Sequence, residues 1–386
     1  MATKNTLTAI MPSMFAALNT VSREMAGFIP AVNRNSSAER AALGDEVSVP
    51  ISSAGDLEDI TPGQQPQNSG GTTPEAVKIK MEYSKAAPIV WTGEDERRVS
   101  NAGVYNGVLA DQFADGMRKL VNVIEKDIAM KALIGASRAC GTAGTVPFGV
   151  AGNLSDFANL ARILDDNGCP TVDRQLVVNS SAMANLRGVQ SVLFKVNEAG
   201  SADMLRNGYT DRVQGFALRN SAGIIQHVQG GAASVKTSGA GAFGLREIAV
   251  KEGSGKFKAG DLIYINNDKN RIYTVAEELT AGSAGKLKIN APGLATAIEG
   301  EKAVAGIGNY TPCFGFDRNA IVLATRAPAQ PTGGDSAEDV TFLTDPVTGL
   351  VFEVRVYRQY RQVKFEIGMT WGAKVINSQH VAVLAG

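Results

Sequence analysis

Residues 105 to 136, "YNGVLADQFADGMRKLVNVIEKDIAMKALIGA", constrain the fold most, because they hold a helical period far beyond the length of an ordinary globular helix. Phe113, Met117, Leu120, Val121, Ile124 and Ile128 share one face, while Arg118, Lys119, Glu125, Lys126 and Lys131 fall on the others. At about 1.5 Å of rise per residue, such a helix reaches roughly 45 Å. Its apolar stripe needs cover along that whole length, so the helix is expected to be a spine on which other elements pack.

A second apolar stripe precedes it. Leu7, Ile10, Met14, Leu18, Val21 and Met25 recur at three- and four-residue steps, with Phe15 beside them and Pro12 near the start, where proline is tolerated. The stripe must bury either on the chain's own core or on a neighbouring molecule. The polar connector "NRNSSAERAALGDE" separates this helix from the first strand, which favours an arm docking elsewhere. Residues 47–51 and 77–83 then alternate apolar and polar, as half-buried strands do. Between them, residues 52 to 76 are rich in glycine, proline, serine and glutamine, a loop of a length usually kept for function. Together they describe a long two-stranded arm with a polar tip, ordering only against another surface.

Downstream of the spine, the pattern mixes helices and strands. Residues 153–167 read as a helix with Ser155 as N-cap and Gly168 closing it. Residues 175–179 read as a buried strand, and "SSAMANLRG" restarts a helix capped by Ser180 or Ser181. A polar loop over 189–207 leads to "RNGYTDRVQGFALRNS", the turn "NSAG" and the apolar run "IIQHV", expected to pair as a hairpin. From 229 the texture changes to the low-complexity "QGGAASVKTSGAGAFG". Short strands follow at 246–250, 261–265, 271–279 and 286–289, split by turn-forming residues, as in a small sandwich or barrel. Strands at 318–326, 350–357 and 363–369 then resume the mixed body.

Composition and motifs exclude most chemistry. Lysine plus arginine and aspartate plus glutamate number 38 each, so no global field exists to hold nucleic acid. Cys140, Cys169 and Cys313 are far apart and odd in number, which fits buried thiols in a reducing compartment rather than disulfides or a metal site. No run of about 18 apolar residues occurs, so no membrane span is expected, and the N-terminus lacks the dense apolar core of a signal peptide. "GAGAFG" (239–244) matches G-x-G-x-x-G, but strand-like sequence follows where a dinucleotide site needs a helix. His227 and His380 have no nucleophile or ligand at motif spacing and read as structural. "GEDERR" (93–98) reads as a solvated approach to the spine. "RVYRQYRQVK" (355–364) is a basic strand pair, open to nucleic acid or to ion pairs between subunits. No catalytic, cofactor-binding or metal-ligating residue is assigned, no cofactor is expected, and the chain is not expected to be an enzyme.

The order of elements carries a resemblance. "VQGFALRNS" with "IIQHV" and "VKTSGAGAF" (213–243), "FKAGDLIYI" (257–265), "RNAIVLATRAPAQP" (318–331) and "TWGAKVINSQHVAVLAG" (370–386) occur in sequence, with "DRQLVVNSSAMANL" (173–186) before them. In this order the chain resembles the major capsid proteins of tailed double-stranded DNA phages, of the Hong Kong 97-type fold. More narrowly it looks like the Salmonella short-tailed phage coat branch, whose coat carries an inserted β-barrel. A long charged loop of that branch is here reduced to "KEGSGK" (251–256).

The resemblance implies an α+β fold and six regions. These are an N-terminal arm (1–45), an extended E-loop hairpin (46–84), a peripheral domain with the spine helix (85–140) and the first part of an axial domain (141–228). An inserted β-barrel (229–312) and return strands of the axial and peripheral domains (313–386) complete it. It further implies self-assembly as hexamers and pentamers into an icosahedral virion shell, built in the host cytoplasm. A scaffolding protein and a portal would assist, and the shell would enclose double-stranded DNA without sequence-specific binding. Leu7, Ile10, Met14 and Leu18 on the arm, and Lys78 and Lys80 on the hairpin, are the expected contacts between subunits. An encapsulin-like nanocompartment is the alternative of the same fold, and an enzyme of unrecognised type a weaker one.

Overall fold

The computed structural model describes residues 7–21, 27–51, 62, 75–101, 105–190, 212–282, 285–345 and 348–386. The fold is α+β: a few helices packed on two large sheets. Helix α1 spans Leu7–Val21, α2 Gly93–Asn101, α3 Tyr105–Gly135, α4 Ser155–Asp166 and α5 Ser180–Gly188. The 31 residues of α3 make a rod of about 46 Å. Its buried face runs from Leu109 and Phe113 through Met117, Leu120 and Ile124 to Ile128 and Leu133. The spine expected over 105 to 136 is thus present with nearly the expected ends.

One face of that spine lies on a six-stranded sheet centred on the Gln362–Val375 strand. This strand pairs antiparallel with Tyr83–Thr92 from Gln362↔Thr92 to Trp371↔Tyr83. Along its other edge it pairs first with Val351–Gln359 and then with Ile321–Pro328. At Gly116 an added Cβ would meet the Ile367 side chain at 3.0 Å, so a small residue sets how closely helix and sheet approach. Trp371 is fully buried here and donates its indole N–H to Asp127 of α3 at 3.3 Å.

Asn33–Ala41 lies at the edge of the same sheet, parallel to Ile321–Pro328. The polar connector is therefore a strand. Its sequence, "NRNSSAERA", carries no apolar alternation because its side chains are spent on polar partners. Arg326 donates to the Asn35 carbonyl at 2.8 Å and to its side-chain oxygen at 2.9 Å, and Thr325 donates to Ser36 at 2.9 Å.

The second sheet has twelve strands. At one end Arg138–Gly141, Val381–Ala385, Pro312–Asp317, Arg174–Val178 and Phe216–Asn220 lie side by side, with α4 packed on them. Ile163, Leu164, Leu176, Val178, Phe216 and Leu384 belong to the core between these elements. Beyond Arg138–Gly141 the sheet continues through Ile272–Thr274 and Leu262–Ile265 into the strands of 229–306. That region has a core of its own, built from Val235, Ile248, Phe257, Ile263, Val275, Leu287 and neighbours.

Local signals differ from expectation at three points. Ser155 is the first residue of α4, and Leu154 holds the cap position without a side-chain bond, while the Ser155 N–H is taken by Asn153 at 2.9 Å. Gly168 closes the helix at φ +72, the left-handed turn that favours glycine. Asn179, rather than either serine, caps α5, accepting from the Ala182 N–H at 2.7 Å. The hairpin forms one turn earlier than "NSAG": Arg212–Val213 pairs with Phe216–Asn220 around Gln214 and Gly215, both at positive φ. That left-handed pair matches strand twist. "IIQHV" instead runs beside the body, tied by a single antiparallel bridge from His227 to Tyr310.

Candidate assembly surfaces

The N-terminal helix is where structure and expectation part. Ile10, Met14 and Leu18 are 1%, 0% and 2% exposed, packed into the core shared with α3. At these three positions the stripe is covered within its own subunit, which leaves them little surface to offer a neighbour. The Leu7 side chain and the loop tip within 52–76 lie outside the described residues, apart from the turn at Pro62 and the strand start at Glu75. Pro12 sits inside the helix, beyond the first turn. An interior proline costs about 3 kcal/mol, which the burial of neighbouring apolar side chains offsets. Phe15, 49% exposed, remains on the outer face.

Glu125, placed by its spacing off the apolar face of the spine, is 2% exposed. Its carboxylate accepts from the backbone N–H groups of Gly27 (3.1 Å), Phe28 (2.9 Å) and Ile29 (2.7 Å), and from the Ser221 hydroxyl (2.6 Å). One acidic side chain thus ties the segment after α1 and the end of the Phe216–Asn220 strand to the middle of the spine. Burial pushes its carboxyl above the usual range, against the pull of the four donors. A signal was present: position 125 lies four residues after Val121 and three before Ile128, on the edge of the buried stripe.

The hairpin pairs Glu46–Ile51 with Glu75–Lys80, from Glu46↔Lys80 to Ile51↔Glu75, as a sheet separate from the two large ones. At its base Ile79 and Met81 are buried against Val322 and Ala324. Gly372 makes room, since a Cβ there would lie 2.0 Å from the Lys80 carbonyl oxygen. Lys78 and Lys80 point outward, and Lys78 pairs with Glu46 at 2.9 Å. Alternation places Val47, Val49 and Val77 on the opposite side, half-buried.

The basic strand pair is neutralised inside the subunit. Arg355 bonds Glu353 at 2.9 Å and also Asp335, Arg358 pairs with Glu338, and Lys364 with Glu366. Arg40, from the edge strand, reaches the same buried Glu353 at 2.7 Å. Arg361 lies over the Tyr360 ring at 5.5 Å. These cations are committed to local carboxylates and a ring, which leaves little free charge for phosphates.

The remaining motifs have structural surroundings. Burial pushes the thiols of Cys140 and Cys313 up to about 12 and that of Cys169 up to about 11, so none is a ready nucleophile. His227 bonds the buried Asp261 at 2.7 Å, and its backbone pairs with Tyr310 where the chain enters and leaves the 229–306 region. After "GAGAFG" comes the Glu247–Lys251 strand, with no helix to receive a phosphate. Among the described residues, no three His, Cys, Asp or Glu side chains gather to hold a metal, and no helix is long and apolar enough to cross a membrane.

No family model matches the sequence, and no curated protein is similar to it in sequence. Among solved structures, the chain is similar to proteins of phages and virus-like particles. One is a chain from Mycobacterium phage Che8, at 14% identity over 88% of this chain and 84% of that one, with a TM-score of 0.43. The capsid of cyanophage P-SCSP1u is another, at 12% identity, 92% and 86% coverage and a TM-score of 0.46. A virus-like particle from Pyrococcus furiosus is a third, at 10% identity, 97% and 96% coverage and a TM-score of 0.43. At such identities and TM-scores the likeness is remote, and none of the three fixes a function for this chain.

Proposed function

We propose that this chain is the major capsid protein of a tailed double-stranded DNA phage, of the Hong Kong 97-type fold, and that it closes into an icosahedral head. The observation that carries the reading is the order of its elements. A helix, a hairpin forming a sheet of its own, a 31-residue spine, a mixed sheet and a β region within that sheet follow one another, and the last strands return to complete both large sheets. That order supports the resemblance noted in the sequence, and with it the six regions from 1–45 to 313–386, including a β-barrel over 229–312. The N-terminal segment packs back on its own spine, so contacts between subunits fall to the hairpin, with Lys78 and Lys80 on its outer face. Partners in this reading are further copies in hexamers and pentamers, a scaffolding protein, a portal and the packaged genome, with assembly in the host cytoplasm.

Electron microscopy of the purified, assembled protein tests this. Closed particles of uniform size are expected, and a hairpin deletion (Ser52 to Thr73 replaced by a short turn) leaves the subunit folded but stops closure. A chain that stays monomeric at every concentration and with every co-expressed phage partner would overturn the reading. Particles filled with protein cargo instead of DNA would favour the nanocompartment.

A further inference from the structure

The seam where the second sheet passes from the α4 side into the 229–306 region holds a cavity of about 340 Å³. Arg138, Arg162 and Arg271 line it, with Asn270, Asp166 and Phe243. Arg138 starts the strand that makes the crossing, its backbone paired with Tyr273 on one side and Ala382 on the other. Its side chain is half-buried, and its Nε is enclosed with no acceptor among the described residues. Among the described residues no carboxylate pairs with this guanidinium, so its charge is held at the seam without a direct counter-ion.

The other two arginines are only lightly held. Arg162 reaches Asp166 at 3.5 Å, and Arg271 reaches Asp268 at 3.1 Å and Thr296 at 3.4 Å. Both stay about half exposed; burial first, and then their two charges, lower the Arg138 pKa against the pull of Tyr273 and Asp166, which raise it. Asp166 is the one carboxylate lining the cavity against three guanidiniums. With Arg162 on Asp166 and Arg271 on Asp268, the surplus is one positive charge, that of Arg138, set among planar donors and a polar amide, the set that grips an oxyanion through paired N–H bonds.

We propose that this seam is an oxyanion-binding site, with Arg138 as its central fork and Arg162 and Arg271 flanking, built to take a phosphate or carboxylate group. An oxyanion there would bridge the two parts of the sheet and hold the 229–306 region at a set angle to α4. The site stands whether or not the chain builds shells.

Two probes separate the sources of such a group: inorganic phosphate for a free ion, and citrate for a carboxylate such as a neighbouring copy would present. The full chain is titrated with each by calorimetry, with sodium chloride at matched ionic strength as control. Saturable binding of at least one probe is expected, with a rise in Tm, and Arg138→Gln weakens it tenfold or more with unchanged circular dichroism. Phosphate binding assigns a free ion, and citrate binding alone assigns a carboxylate. If Arg138→Gln does not fold, Arg271→Gln, on a half-exposed side chain, carries the same reading. Absence of binding by both probes, or equal binding by wild type and a folded variant, overturns the proposal.

Discussion

The Ser221 hydroxyl donates to the Glu125 carboxylate at 2.6 Å, across 96 residues of sequence, and closes a ring of four donors around one buried acid. The spine helix is thereby fastened at its middle to the segment after α1 and to the strand end at Asn220. Packing alone would let these elements slide along a smooth apolar stripe. A directional bond fixes their register.

Replacing Glu125 by glutamine puts an amide against four donors and removes the charge. Unfolding in denaturant is expected to show a loss of about 3 kcal/mol or more, and Ser221→Ala a loss of about 1–2 kcal/mol. The pair should be non-additive in a double-mutant cycle. A carboxyl raised on folding binds its proton more tightly in the folded chain. Its contribution is thus full below the unfolded value of about 4.3 and declines as pH rises through the raised one. Wild type should therefore lose ground to Glu125→Gln on going from pH 4 to neutral.

Leu18→Glu places a charge in the core shared by α1 and α3. The described residues of that cluster are apolar, so a loss of more than about 3 kcal/mol is expected, visible as a collapse of the monomer melting temperature. Phe15→Glu, on the exposed face of the same helix, should leave that melting unchanged within about 0.5 kcal/mol. Similar melting of the two variants would contradict the placement of α1.

Asn290 donates to the carbonyl oxygens of Ile134 (2.6 Å) and Ala136 (2.7 Å), so a residue of the β region satisfies the end of the spine. Those carbonyls have no partner within the helix. Asn290→Ala is expected to cost about 1–2 kcal/mol and to speed hydrogen exchange in the last turn of α3. Unchanged exchange there would show that the two parts are not coupled through this side chain.

Gly372→Ala would drive a methyl group into the Lys80 carbonyl oxygen. The hairpin base must then shift, at a cost of about 2 kcal/mol, and the Glu82 N–H should lose its bond to the Trp371 carbonyl. Faster exchange at Met81 and Glu82, with the Ile321–Pro328 pairing intact, is the expected pattern.

Elements that carry their own period were legible in the sequence. The spine shows its stripe over 31 residues, the hairpin strands alternate, and the short strands of 246–289 are bounded by turn residues. Each of these is decided by neighbours a few residues away, which is the range over which helix and strand periods act. What lacked a local period stayed hidden. Asn33–Ala41 is a strand only because Ile321–Pro328 offers it an edge and Arg326 offers it donors. The first helix shows an apolar stripe, but a stripe is equally ready for its own core or for a neighbour; the groove beside α3 decided that. For Glu125, beside Lys126 and Asp127, and for Arg138, beside Ser137, sequence gives the residue type but not the surroundings. Whether a buried charge meets four donors or none depends on segments about a hundred residues apart, and only the tertiary fold brings those together.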